Sequence, residues 1–553
     1  MSTDFSLLAN VVDVFARTVR PATVRVVGGR VAAIEPTGAL EPDAALPFAL
    51  PGFVDAHVHI ESSLLVPTEF ARLAVTHGTV ATVSDPHEIG NVLGMAGVEY
   101  MLDNAAASPF KFCFGAPSCV PATPFETAGA EITAADIAKL FNNPKIGYLA
   151  EVMNWPGVLR RDADVMKKIA LAHAAGRTVD GHAPGLRGAN AARYASAGIA
   201  TDHECFTADE ARDKLATGMK ILIREGSAAR NFDALIELLP EHYPNLMFCS
   251  DDKHPDTLVL GHINQLVRRA VALGHNVFDV LQMACINPVR HYQLPVGLLH
   301  VGDPADFIVV DDLTDFRVRQ TYLDGQLVAE NGQSQLPTAP VAPANNFHAQ
   351  PVRAADFLVA APTAPLAPAL RVIECFDGQL ITARLDVPGR VEAGAVVAEP
   401  ARDLLKLTVV NRYRAHVPPA VAFIKGFGLT AGALASSVGH DSHNITAVGC
   451  DDESLARAIN LVIGARGGLA AVGPGGEELL LPLPVAGLMS DQPGPAVAAA
   501  YAALDALAKR LGSPLGAPFM TLSFMALLVI PSLKLSDKGL FDGEAFRFVD
   551  AVV

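Results

Sequence analysis

Between residues 50 and 290 the sequence alternates short, β-branched apolar stretches with helix-patterned ones, and this alternation restricts the fold more than any other feature. The strand candidates are GFVDAHVHI, TVATVSD, KFCFGAPS, IGYLAEVM, RTVDGHA, IATDHE, KILIRE and NLMFCSDD. Helical stretches such as DADVMKKIALAHAAG and NQLVRRAVALG separate several of them. Repeated strand-then-helix units place parallel strands side by side with helical returns. A run of this length predicts an α/β protein built on a (β/α)8 barrel of the TIM type, with its working face at the C-terminal ends of the strands. The polar residues gather at those ends and not at the strand starts.

The flanks read differently. In ATVRVVGGRVAAIEP two β-branched runs surround Gly28-Gly29, a hairpin signal. Downstream, ADFIVVDD and VRQTYLDGQLVAENG carry a similar pattern with a turn at Asp324-Gly325. The expectation is one small composite β-sandwich domain drawn from residues 1–48 and 295–332, enclosing a barrel over residues 49–294. Residues 333–369 are rich in Pro and Ala and read as a linker or irregular crossing segment. Residues 370–553 read as an additional C-terminal α/β domain. No internal repeat is visible.

Half of the 553 residues are hydrophobic and 18% are charged, enough apolar material for two or three cores. Acidic residues outnumber basic ones by 58 to 42, for a net charge of -16. That balance argues against a nucleic-acid partner, whose affinity draws on clustered Lys and Arg, and it suits a small neutral substrate. The seven cysteines are scattered, with no Cys-x-x-Cys pair, so neither a disulfide framework nor a thiolate zinc site is expected. MSTDFSLLANVVDVF lacks a basic leader and a cleavage site, and no run of about 18 apolar residues appears. A soluble cytoplasmic protein with no membrane partner is expected.

The sharpest local feature is Asp55-Ala56-His57-Val58-His59, at the end of an apolar strand. Residues i and i+2 of a strand share a face, so His57 and His59 can aim both imidazoles at one point and hold a divalent metal. A packed or surface pair is the alternative. Glu151, His182, His203, Asp251 and Asp252 each stand where a barrel strand would end, so they can converge although far apart in sequence. Imidazoles and carboxylates together suit zinc, iron or manganese. Such an ion lowers the pKa of bound water from about 16 to about 7, supplying hydroxide at neutral pH. Asp251 is then placed to accept a proton and return it to a leaving amine. Glu61, just past the strand, is a candidate to protonate a ring nitrogen or else an exposed loop acid.

Three further groups are candidate substrate contacts. Asp85, His87 and Glu88, in SDPHE, follow another strand, where an Asp-Pro turn explains them equally well. His440, Asp441 and His443, in SSVGHDSHN, form a polar loop that can close over a pocket, read a base, bind another metal or be structural. Arg224 and Ser227, in IREGSAAR, can orient substrate or serve in surface ion pairs.

With these residues in place, the chain resembles the adenine deaminases of the amidohydrolase superfamily almost end to end. The matching stretches include PGFVDAHVHIESSLL, HGTVATVSDPHEIGNVLG, AEVMNWPGV, GHAPGL, TDHE, IREGSAARN and FCSDDKHP. Beyond the Pro/Ala-rich segment they continue with NRYRAHVPPAVAFIKGFGL, ASSVGHDSHNI, PLPVAGLMSD and PFMTLSFMALLVIPSLKLSDKGLFD. The resemblance implies that His57, His59, Glu151, His182, His203 and Asp251 hold two divalent ions, manganese or iron with zinc as an alternative. Glu151 would bridge them where many relatives use a carboxylated Lys; no Lys occurs in GYLAEVMNW, which disfavours dihydroorotase and hydantoinase readings. It also implies hydrolysis of adenine to hypoxanthine and ammonia in purine salvage, by a homo-oligomer expected to be a dimer. The rival readings are an amidohydrolase acting on another cyclic amide or amine, and a barrel scaffold without catalysis.

Overall fold

The computed structural model describes residues 4–362 and 368–553, so residues 363–367 of the expected linker lie outside the described residues. Each of the eight strand-like stretches contains a barrel strand: β1 (Phe53–Val58), β2 (Thr79–Ser84), β3 (Lys111–Ala116), β4 (Ile146–Val152), β5 (Thr178–Gly181), β6 (Thr201–Asp202), β7 (Lys220–Arg224) and β8 (Leu246–Cys249). β1 to β5 pair in order and in parallel, as do β6 to β8. The two arcs meet twice. Ala200 N–H donates to the Val179 carbonyl at 2.8 Å between β5 and β6, and Val58 bridges Asp251 in parallel where β8 returns to β1. Asp55 fastens that closure, accepting from Ser250 N–H at 2.9 Å and lying 2.8 Å from His262 Nε2.

β1 and β2 are buried along their whole length. This is why they read as nearly continuous apolar runs and not as alternating ones. The returning helices begin at side chains that satisfy their free N–H groups. Asp162 accepts from Asp164 and Val165 N–H to start Ala163–Ala174, and Thr207 accepts from Glu210 N–H to start Ala208–Leu215.

Strands from both flanks of the barrel join in one eight-stranded sheet. Its seam is the antiparallel pairing of Phe307–Val310 with Phe48–Pro51, with Ile308 opposite Leu50. The two hairpins turn where the glycines predict. Val27 pairs with Arg30 across Gly28-Gly29, and Leu323 with Gln326 across Asp324-Gly325. Gly28 and Gly29 have φ of 58° and 77°, in the left-handed region that glycine enters without a Cβ clash.

The C-terminal part centres on a second eight-stranded sheet, covered by the helix Asp452–Ala465. The described part of the Pro/Ala-rich segment is largely irregular but packed: Phe347, Val352 and Phe357 are buried with Leu455, Ile459 and Val462 of that helix. A long helix, Gly494–Arg510, runs against Pro255–Leu258 of the barrel and brings the C-terminal part over the strand ends. All seven cysteines are free. Among the described residues no helix is long and apolar enough to cross a membrane.

Candidate active site

Parallel strands deliver their last residues to one end of the barrel, and there the distant polar groups meet. His57 and His59, on one face of β1 and its extension, bring their Nε2 atoms to 3.2 Å of each other. Asp251 Oδ1, just past β8, lies 3.5 Å from His57 Nε2 and 3.3 Å from His59 Nε2. Glu151, near the end of β4, places Oε1 3.6 Å from His59 Nε2. Its Oε2 lies 2.8 Å from His182 Nδ1 and 3.1 Å from His203 Nε2. The His57 and His203 rings stack at 4.1 Å between centroids. All six residues are buried, and Asp251 has a left-handed backbone, φ 53°. Strain of that kind at a non-glycine residue persists where surrounding contacts enforce it, often at functional positions.

A second ring of groups adjoins this cluster. His87 Nδ1 lies 3.1 Å from Asp85 Oδ2 and 3.5 Å from Glu151 Oε1. Glu88 reaches across to the C-terminal part, where His440 Nδ1 and His443 Nε2 pair with its two oxygens. Asp441 Oδ1 stands 3.8 Å from His87 Nε2. Arg224, at the end of β7, forks between Glu204 and Asp251. The cavity over the cluster has a volume of ≈30 Å³, and its apolar lining is Leu380, Phe524 and Leu527 together with Met153.

Not every predicted contact faces this cavity. Glu61 is buried and accepts from Ile89 N–H at 3.2 Å, but it is absent from the cavity wall, as is His443. Burial pushes the Glu61 carboxyl up to about 7, with the Glu88 charge adding to it. Ser227 lines a neighbouring cavity of ≈290 Å³ instead. There its Oγ accepts from His254 N–H at 2.8 Å and lies 2.9 Å from Thr257 Oγ1. Asp252, one of the strand-end carboxylates, lines the main cavity, and so does Glu204, which the sequence reading did not single out. A carboxylate directly following a strand-end histidine, as in TDHE, was the available signal for Glu204.

The electrostatics follow from burial. Burial alone raises a carboxyl, yet His182 and His203 outweigh it at Glu151 and hold that group well below the ordinary range. Arg224, with His57 and His59, does the same for Asp251. Six carboxylates (Glu88, Glu151, Glu204, Asp251, Asp252 and Asp441) line the cavity with Arg224 as its one guanidinium. Buried carboxylates need compensation, and beyond Arg224 it must come from protonated imidazoles or from bound cations. His57 Nδ1 and His182 Nε2 are also buried without a hydrogen-bond partner. Nitrogen and carboxylate donors grouped within 4.8 Å fit divalent cations and contain no thiolate.

His254, in the wall of the neighbouring cavity, yields a pH prediction. Its ring is 3% exposed and lies 4.5 Å from that of Tyr501. Burial, with the His440 charge adding, pushes it down to about 3. The unfolded chain therefore takes up this proton first. The stabilisation is present above about pH 6.5 and is lost as pH falls toward 3, amounting to about 2 kcal/mol by pH 5. A His254→Leu variant should show a shallower acid-side fall in thermal midpoint than the parent chain; equal slopes would refute this.

A closed parallel barrel with imidazoles and carboxylates on its C-terminal strand ends defines the class, a hydrolase of the amidohydrolase type. The amidohydrolase family pattern matches residues 48–328, and the adenine deaminase C-terminal domain pattern matches residues 379–547. The chain is 56% identical to the adenine deaminase of Salinibacter ruber over 100% of both chains. It is 55% identical to that of a Sulfurovum species over 98% of this chain and 99% of the relative. Among solved structures, the N-acetyl-D-glucosamine-6-phosphate deacetylase of Mycobacterium smegmatis aligns with a TM-score of 0.44 and 16% identity, over 59% of this chain and 100% of that one. The chain belongs to the adenine deaminase family.

Proposed function

We propose that this chain hydrolyses adenine to hypoxanthine and ammonia, as a step of purine salvage in the cytoplasm. The observation that carries the reading is the joining of two parts: the barrel cluster is capped by His440, Asp441 and Phe524 of the very region that matches the adenine deaminase C-terminal domain. His57, His59, Glu151, His182, His203 and Asp251 would hold two divalent ions, manganese or iron with zinc as an alternative, and Glu151 stands between the two groups of imidazoles as a bridging ligand would. Bound there, such ions supply Lewis acidity and a nucleophilic water at neutral pH. Water oxygen joins C6 of the purine, the C6–amine bond breaks, and Asp251 carries a proton from the water to the departing amine. Arg224 keeps Asp251 ionised for the first of these transfers. Glu61, pushed up to about 7 by burial, lies outside the cavity wall and accepts from Ile89 N–H, so it would act by positioning the segment that carries His87 and Glu88. The barrel over residues 49–294, the composite β domain and the C-terminal domain over residues 370–553 would act as one unit, assembled as a dimer.

A volume of ≈30 Å³ holds a water molecule or two and no purine ring. Binding of the base therefore requires part of the wall to shift, and Leu380, Phe524 and Leu527 are its apolar side chains from the C-terminal part. Lys534 is fully buried and holds two of those three in place, donating to the Leu380 carbonyl at 2.6 Å and to the Phe524 carbonyl at 2.9 Å. Lys534→Met strands both carbonyls, at about 1–3 kcal/mol each. Steady-state kinetics should show a several-fold rise in KM with a smaller change in kcat, the pattern of weakened ground-state binding.

The reading is tested by ammonia release from adenine on metal-loaded protein, beside a hydantoin and a dihydropyrimidine. Turnover of either of the latter without turnover of adenine would overturn the substrate assignment. Failure of the protein to retain metal would favour a scaffold.

A further inference from the structure

A cavity of ≈280 Å³ shares no lining residue with the cavity over the cluster, and its wall is strongly basic. Lys253, Arg230, Arg268 and Arg269 line it, against Glu225 as the one acid. Lys253 is 5% exposed. Among the described residues, its ammonium has neither a carboxylate within 4.0 Å nor a hydrogen-bond partner. Glu225 offsets part of this charge within the wall: its Oε1 pairs with Arg269 Nη1 at 2.7 Å and lies 3.8 Å from Arg230 Nε, while its Oε2 is buried without a hydrogen-bond partner. Arg268 is exposed and has no ion-pair partner among the described residues.

Lysine is seldom this buried without a carboxylate partner, and here the side chain reaches the cavity. Here the lone ammonium borders a space large enough for a small molecule, with guanidiniums at the rim. A tetrahedral oxyanion matches that arrangement, since it offers one oxygen to a point charge and others to planar N–H forks. We propose that this cavity binds a phosphate-type oxyanion, either inorganic phosphate or the phosphoryl group of a small ester, with Lys253 as its buried ligand and Arg230 and Arg268 closing over it. Lys253 lies two residues beyond Asp251, and Glu225 follows Arg224 directly, so an occupant sits against the two strand ends that carry the Arg224–Asp251 pair. The proposal is independent of which substrate the barrel turns over.

The test is calorimetric titration of the metal-loaded, full-length protein with phosphate, sulfate and adenosine monophosphate, against chloride at matched ionic strength. The expected result is saturable binding of one anion per chain, weakened at least tenfold in Lys253→Met. Arg268→Gln, an exposed change that leaves the core untouched, should weaken binding by about threefold. Tighter binding of the monophosphate than of phosphate identifies an ester as the occupant; equal binding identifies the free anion. No saturable binding beyond chloride, or undiminished affinity in Lys253→Met, would overturn the proposal; the latter would place the anion at the metal cluster.

Discussion

Asp251→Asn is expected to lower the rate of ammonia release by about 10³-fold or more while the chain stays folded. The substitution preserves shape but removes both the negative charge and the capacity to accept a proton, and loss of a positioned acid–base group costs typically 10²–10⁴-fold. The same carboxylate stands 3.3 Å and 3.5 Å from the two imidazoles of the β1 pair, so metal retention should fall as well and deepen the defect. Some stability should be lost as well, because Arg224, His57 and His59 favour the ionised carboxylate, but Arg224 keeps its pairing with Glu204 and the fold should survive. Residual activity, metal content by elemental analysis and the thermal midpoint separate these effects. A variant that binds metal fully and keeps more than a tenth of the parental rate would remove Asp251 from the proton path.

The barrel was legible because its signals are local. Each strand is a short apolar run, each polar group closes its own run, and the (β/α)8 arrangement sends all such ends to one place. The pairing of Phe307–Val310 with Phe48–Pro51 was legible in a weaker sense: turns at Gly28-Gly29 and Asp324-Gly325 announced two strand-rich flanks, but no spacing rule says that they share one sheet. Contacts between the barrel and the C-terminal part were not legible from spacing at all. Glu88 meets His440 across 352 residues of sequence, and nothing in either segment encodes the other's position. The apolar lining is the extreme case, since Leu380, Phe524 and Leu527 read as ordinary core residues until the fold brings them into the wall of the cavity. Arg224 shows how residue type alone misleads: an arginine at a strand end suggests a surface ion pair, yet this one is 3% exposed and spans two buried carboxylates.

That placement makes Arg224→Met the change with the largest expected effect on stability. The guanidinium bridges Glu204 and Asp251, and its Nε donates to the Ala229 carbonyl at 2.6 Å. Methionine fills much of the same volume but leaves both carboxylates desolvated and without their fixed counter-charge. Removing one partner of a buried ion pair costs about 3–5 kcal/mol. Arg224→Lys should recover only part of this, because a single ammonium cannot reproduce a fork that contacts both acids at once. The denaturation midpoint of Arg224→Met should also depend more steeply on added divalent metal than that of the parent chain. A bound cation can replace some of the missing charge, and a ligand that binds the folded state alone stabilises it in proportion to its occupancy. Activity should not return with that stability, since metal cannot restore the contact that holds Asp251 ionised and oriented. A Met variant as stable as the parent chain, measured at low metal, would mean that Glu204 and Asp251 do not depend on this guanidinium, and the charge argument for the cluster would fail with it.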